Sequence, residues 1–280
     1  MRWLVLLIAL LATPCAAAVV KPGDPVPGHP GLTYLDLLRQ GLPTLAANAA
    51  DNGAVQGHLP TPPPRRLGGG LYEGEAPDPV VLGWMQDLRI VADGRKRMVL
   101  LADLGPDPDR AQSQTLLLLF DDASRPRLLD MADVGIDRDT EFDERQPVIR
   151  LGPGDDALMT VSEHNDADIS YDGHILLFVR HDRFQRIADF FLINSRSCGW
   201  EQDERLDLVS RPAPRSPYSS VDIRVSYQIK RGSDEGCGDP IPKARTRRFD
   251  AVFRWNPRLG GFATTSRALT DLAAVNGMSP

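Results

Sequence analysis

Four carboxylates and two imidazoles fall within the twelve residues EHNDADISYDGH, 163–174. Three chemistries use these types. Asp166, Asp168 and Asp172 offer hard oxygen ligands of the kind Ca²⁺ takes. His164 and His174 with one carboxylate could hold Zn²⁺. A neutral imidazole beside Glu163 or an aspartate supplies a general acid–base pair for a hydrolase. The spacing argues against the first two. Counted from Asp166 as position one, position five is Ser170 and position six is Tyr171, where the EF-hand pattern has a carboxylate and a glycine. The two histidines lack the short regular spacing of helical zinc sites. Ser162, His164 and Asp166 supply triad types, but triads are defined by geometry, and close neighbours on a strand point in divergent directions. Asn165, Asp166, Asp168 and the Asp172-Gly173 pair are turn formers. The reading adopted is that strand character ends at Glu163, a polar connection follows, and a strand resumes at His174. No metal and no cofactor is assigned.

A second acidic stretch lies upstream. Asp137, Asp139, Glu141 and Asp143 would share one face if the segment were a strand. They are secondary Ca²⁺ candidates, with Arg138, Arg145 and Arg150 as alternative counter-charges. Charge runs are usually solvated, and a loop is expected here. The sequence contains neither G-x-S-x-G nor H-E-x-x-H, and Gly68-Gly69-Gly70 lacks the lysine of a phosphate loop.

The N-terminus, MRWLVLLIALLATPCAAAVV, has Arg2, a short apolar run over 3–11, and the small residues Ala16-Ala17-Ala18. This pattern predicts a signal peptide over 1–18. Acylation at Cys15 is the alternative, and Pro14 before the cysteine fits it poorly. Two cysteines then remain, Cys198 and Cys237, and an even count in an exported chain predicts a disulfide. The expected location is periplasmic or extracellular, with no integral membrane segment after cleavage. The formal net charge of −6 argues against nonspecific binding of nucleic acid.

The mature chain divides at about residue 83. Residues 19–83 read as a Pro/Gly-rich arm, a short helix over 33–40 opened by Thr33 and Asp36, and a strap too rich in Pro and Gly for any long element. Residues 84–280 read as antiparallel β structure. Segments 88–92 and 97–101 face each other across Asp93-Gly94, the strongest short hairpin signal. Similar pairings place 115–120 with 127–131, 175–179 with 186–193, and 249–255 with 261–265. The fold class is therefore mainly β, an antiparallel meander of hairpins, sandwich or propeller-like. Three four-stranded units are expected, over 84–135, 147–194 and 206–269, with a short terminal helix. The hairpin texture resembles repeats of secreted β-propellers without the Ca²⁺ motif many of those carry, and it assigns no family.

The expected function is a noncatalytic module that binds an unknown protein, glycan or envelope component. The alternative is a hydrolase acting on an envelope polymer around 163–174. A pocket lined by His164, His174 and at least two carboxylates would favour the hydrolase. A flat or sealed surface would favour the binding module.

Overall fold

The computed structural model describes residues 16–49, 53–68, 79–106, 113–137, 139–165, 169–197, 199–232 and 242–278. Residues 1–15, Asp166, Asp168, Cys198 and Cys237 lie outside these ranges, so the signal peptide, part of the polar connection and the disulfide are not described. The N-terminal region holds β1 (Ala18–Val20), α1 (Tyr34–Gly41), β2 (Ala46–Asn48), β3 (Ala54–Gly57), β4 (Arg65–Arg66) and β5 (Val80–Val81). Then come the hairpins β6 (Met85–Ala92) with β7 (Arg95–Pro106), and β8 (Ser113–Asp121) with β9 (Leu128–Asp133). The second unit comprises β10 (Thr140–Phe142), β11 (Val148–Gly152), β12 (Asp155–Asn165), β13 (Ile169–Arg180) and β14 (Arg183–Ser197). The third comprises β15 (Trp200–Arg211), β16 (Ser220–Arg231), β17 (Arg245–Asn256), β18 (Gly261–Ala263) and α2 (Ala268–Val275).

The fold is mainly β, with 58% strand and 8% helix, and its main sheets are antiparallel meanders. One six-stranded sheet runs β1-β6-β7-β8-β9-β4, with β4 alone parallel to its neighbour. A nine-stranded sheet runs β10-β12-β13-β14-β15-β16-β17-β18, with β11 also on β12. A small sheet, β2-β3-β5, lies within the strap. The β6–β7 turn has positive φ at Asp93 and Gly94, and the β13–β14 turn has it at His181 and Asp182. These are primed two-residue turns, whose twist matches that of the strands they join. The two turns are tied together: the His181 amide donates to Asp93 at 2.7 Å, and Arg97 pairs with Asp182 at 2.5 Å.

Alternation of side chains turns these sheets into layers. On one face of the first sheet, Met98, Leu100, Leu116, Leu118 and Phe120 pack on Leu37, Leu38 and Leu42 of the helical segment. The helix starts where Thr33 and Asp36 exchange capping hydrogen bonds. On the opposite face, Leu88, Val99, Leu101, Leu117 and Leu119 meet Leu158, Ile175, Leu177 and Val179. The run Leu116–Leu119 is thus buried on both sides, as a central strand requires. Beyond β12–β14, Met159, Leu176, Phe178 and Leu192 meet Leu208, Val221, Ile223, Val225 and Phe253. Stacked sheets sharing such cores correspond to the sandwich form of the expected fold.

This last layer exists because the large sheet folds back on itself. β14 and β15 pair only between Ser195–Ser197 and Trp200–Gln202. Past that short hairpin they separate, and β15 continues above β12–β14 instead of beside them.

Candidate functional site

Where β14 and β15 part, a cavity of about 610 Å³ opens. One wall comes from β12 and β13. The ladder there sets Glu163 opposite Asp172 and Val161 opposite His174, with His174 in turn opposite Phe190 of β14. Residues directly opposite, and those two apart along a strand, share a face. Glu163, Asp172 and His174 therefore line the cavity together. Glu141 of β10, opposite Val161, joins them, and Asp143 and Glu144 follow it onto the rim. The far wall is β15, with Asp203, Glu204, Arg205, Leu206 and Leu208. Met159, Val161 and Leu192 give the floor an apolar part.

The carboxylates divide into held and unheld groups. Asp203 pairs with Arg205 at 2.9 Å. Glu204 accepts from the Ile193 amide at 3.1 Å, Gln202 at 2.9 Å and Asn276 at 3.2 Å, although burial still raises its pKa. Asp143 caps a turn, accepting from the amides of Arg145 and Gln146 at 2.9 and 2.6 Å. Among the described residues, no hydrogen bond or ion pair holds the side chains of Glu141, Glu163 or Asp172. Burial raises the pKa of Glu141, with further raising by the negative charges of Glu144, Glu163, Asp143 and Asp139. Asp172 is raised by burial and then by Glu163 and Asp143, against an opposing effect of Arg145.

His174 forms the cavity's most constrained polar group. It is 4% exposed and stacks on Phe190 with ring centroids 5.1 Å apart. Neither ring nitrogen has a hydrogen-bond partner. Burial pushes its pKa down to about 4, against the attraction of Asp143 and with a small further lowering by Arg145. The imidazole is neutral at pH 7, so it offers one donor and one acceptor. Leaving a buried donor or acceptor unpaired costs about 1–3 kcal/mol.

His164, Asp137 and Ser162 are not among the residues that line this cavity. His164 stacks on Tyr171, with centroids 4.7 Å apart and planes 6° from parallel. Its Nδ1 lies 3.0 Å from Asp137 Oδ2, and the Tyr171 hydroxyl donates to the same carboxylate, which is fully buried. Gly173 makes this approach feasible: a Cβ there would lie 2.9 Å from Ile136 and 3.0 Å from Phe191. Ser162 is buried and shares a 2.5 Å hydroxyl contact with Thr140, so it is no exposed nucleophile.

Two expectations are corrected. Strand character does not end at Glu163. β12 runs on to Asn165, β13 starts at Ile169, and Glu163, His164, Asp172 and His174 are all in the ladder. Cross-strand pairing with alternate residues on two packed faces outweighs the weak turn preferences of Asn, Asp and Gly. The second is the solvated loop expected over the upstream acidic run of Asp137, Asp139, Glu141 and Asp143. β10 spans Thr140–Phe142, Asp137 is buried beneath the sheet, and Asp139 has a positive φ of 57°. Among the described residues, no group of three or more His, Cys, Asp or Glu side chains is placed to hold a metal ion.

Sequence reasoning missed the β15 wall. Its signal was Glu204, which alternates with Leu206 and Leu208 and so puts a carboxylate on an otherwise apolar face. Comparison with known families, characterised proteins and solved structures yields no match. No helix among the described residues is long and apolar enough to cross a membrane.

Proposed function

We propose that the chain is an exported, noncatalytic binding module that takes its ligand, an envelope component or part of a glycan or protein, into the acidic cavity between β12–β13 and β15. The observation that carries this reading is His174: a buried neutral imidazole whose two nitrogens have no partner among the described residues, on the same cavity wall as the unheld carboxylates of Glu163 and Asp172. Natural proteins rarely leave such groups unsatisfied, and a bound molecule with complementary polar atoms would satisfy them. The cavity volume falls in the range of small-ligand sites.

The test is an imidazole-resolved NMR titration of the mature protein. Amines, neutral sugars, peptidoglycan fragments and acidic metabolites serve as probes. At least one class should shift the His174 resonances and raise the melting temperature. If every class leaves both unchanged, the reading fails.

The hydrolase remains as the second reading because Glu141 and Asp172, with raised pKa, sit beside a neutral imidazole. Such a set could exchange protons with a reacting polymer. His164, however, contributes to the opposite face. Release of soluble fragments from purified envelope polymers by wild type, and not by Asp172→Asn, would favour the hydrolase.

Export carries its own check. Purified mature protein should lack the first 18 residues, and denatured, unreduced protein should titrate no free thiol if Cys198 and Cys237 are bridged. Two free thiols would remove the disulfide from the reading.

A further inference from the structure

We infer that the ligand of the acidic cavity is an organic cation, a protonated aliphatic amine, whose N–H groups meet His174 and the carboxylates of Glu163 and Asp172. This inference rests on the cavity being a ligand site and adds the chemistry of what enters it. Three observations select the class.

The first is charge. Among the described residues, seven carboxylates line the cavity against two arginines, and one of these, Arg205, is already paired with Asp203. Glu163 and Asp172 are direct cross-strand neighbours, and among the described residues neither has an ion-pair partner. An anion entering this space would meet repulsion, whereas a cation relieves the repulsion between like charges on opposed strands.

The second is the acceptor on the wall. A neutral His174 carries an unused ring-nitrogen lone pair: the residue lines the cavity but is 4% exposed, its ring nitrogens are closed to solvent and have no hydrogen-bond partner among the described residues, and it shares a face with Asp172 two residues away. An ammonium group has three donors and no acceptor. It can therefore give one hydrogen bond to the imidazole and others to carboxylates, a charge-assisted arrangement stronger than neutral pairs.

The third concerns shape and excludes a bare metal ion. The carboxylates are spread around about 610 Å³, and among the described residues no three ligating groups converge on one point. Met159, Val161, Leu192, Leu206 and Leu208 supply apolar surface between the charges. A compact ion would leave that surface unused, whereas an aliphatic amine covers it with its carbon chain.

The experiment compares cadaverine with the uncharged diol of the same chain length and with Ca²⁺, on the full mature protein. Cadaverine should shift the His174 ring-nitrogen resonances and raise the melting temperature in a saturable, salt-sensitive way, and the diol should do neither. The Glu163→Gln, Asp172→Asn double variant should weaken cadaverine binding by about tenfold or more. Both positions are at least partly solvent-accessible, so this variant is expected to fold, and its circular dichroism spectrum checks that. His174→Phe should lose binding as a second, independent variant. The inference is overturned if the diol acts as cadaverine does, if the double variant binds cadaverine as tightly as wild type, or if Ca²⁺ alone gives the stabilisation. A neutral sugar or an acid that shifts His174 where cadaverine does not would overturn the amine and leave the cavity as a ligand site. Silence from every probe would overturn both.

Discussion

On one face of the β12–β13 ladder, His164, Tyr171 and Asp137 form a stacked, hydrogen-bonded set. On the other, His174, Glu163 and Asp172 again combine an imidazole with acids, but have no hydrogen-bond or ion-pair partner among the described residues. Both faces draw on the same dozen residues. One face is covered: Ile136 seats against Gly173 and brings Asp137 under the two rings. The other looks into the gap left where β15 departs. A histidine and an acid close in sequence therefore do not mark a site. What distinguishes the cavity face is a buried imidazole and the half-buried Asp172 without a hydrogen-bond partner among the described residues.

The sharpest way to break this comparison is Asp137→Ala. It removes a fully buried carboxylate that His164 and the Tyr171 hydroxyl both contact, and each buried polar group left without its partner costs about 1–3 kcal/mol. Urea denaturation should show a loss of that order. A loss below about 1 kcal/mol would mean the paired face is not structural.

The next effect depends on pH. The His174 pKa falls from 6.5 to about 4 on folding. The unfolded state then binds more protons between those values, so stability falls as pH drops from 6.5 toward 4 and levels off below that. The full contribution is about 3 kcal/mol. Glu141 and Asp172, with raised pKa, act in the opposite sense, gaining stability as they protonate. Subtracting the His174→Phe profile isolates the imidazole, while Asp143 and Arg145 remain in both proteins. The difference should grow with acidification across that window. A flat difference would mean His174 has a partner in solution.

Gly173→Ala should cost about 1–3 kcal/mol, the usual range for overpacking, because the added methyl meets Ile136 and Phe191. Its effect belongs to the paired face, and binding in the cavity should change less than stability does. Smallest of all, Glu163→Gln should leave stability unchanged or raise it by up to about 1 kcal/mol, because it removes a like charge opposite Asp172. A loss of more than that would reveal a counter-charge in the cavity.

Much of the architecture was legible. Asp93-Gly94 fixed one hairpin, the Leu116–Leu119 run marked a central strand, and Thr33 with Asp36 opened the helix within one residue of its observed start. The three expected four-stranded units do not stand as separate sheets: β6–β9 lie within the six-stranded sheet, and β11–β14 and β15–β18 run on in one nine-stranded sheet. Strand ends were less legible. β14 and β15 extend through the polar residues Ser195, Arg196, Glu201, Gln202 and Asp203, because backbone pairing continues after apolar burial stops. Half of the site was also visible, as residue types around 163–174. Its division between two faces was hidden, because turn-forming residues masked the period-2 alternation. The assembly of β10, β13 and β15 around one space depends on the sheet folding back, which no local pattern records.

That parting of β14 from β15 also leaves two internal sheet edges without a ladder partner, along Arg183–Asn194 and beyond Gln202. Free strand edges are templates for self-association. Here Glu204 accepts the Ile193 amide and Asn194 accepts the Glu204 amide, so side chains occupy backbone positions that an incoming strand would need. Asp203, Glu163 and Asp172 add negative charge around the same opening. A second copy approaching edge-on would meet its own charge pattern and repulsion. The feature that opens the cavity thus also carries protection against polymerisation, and neutralising those carboxylates together should make the protein more prone to assemble through this seam.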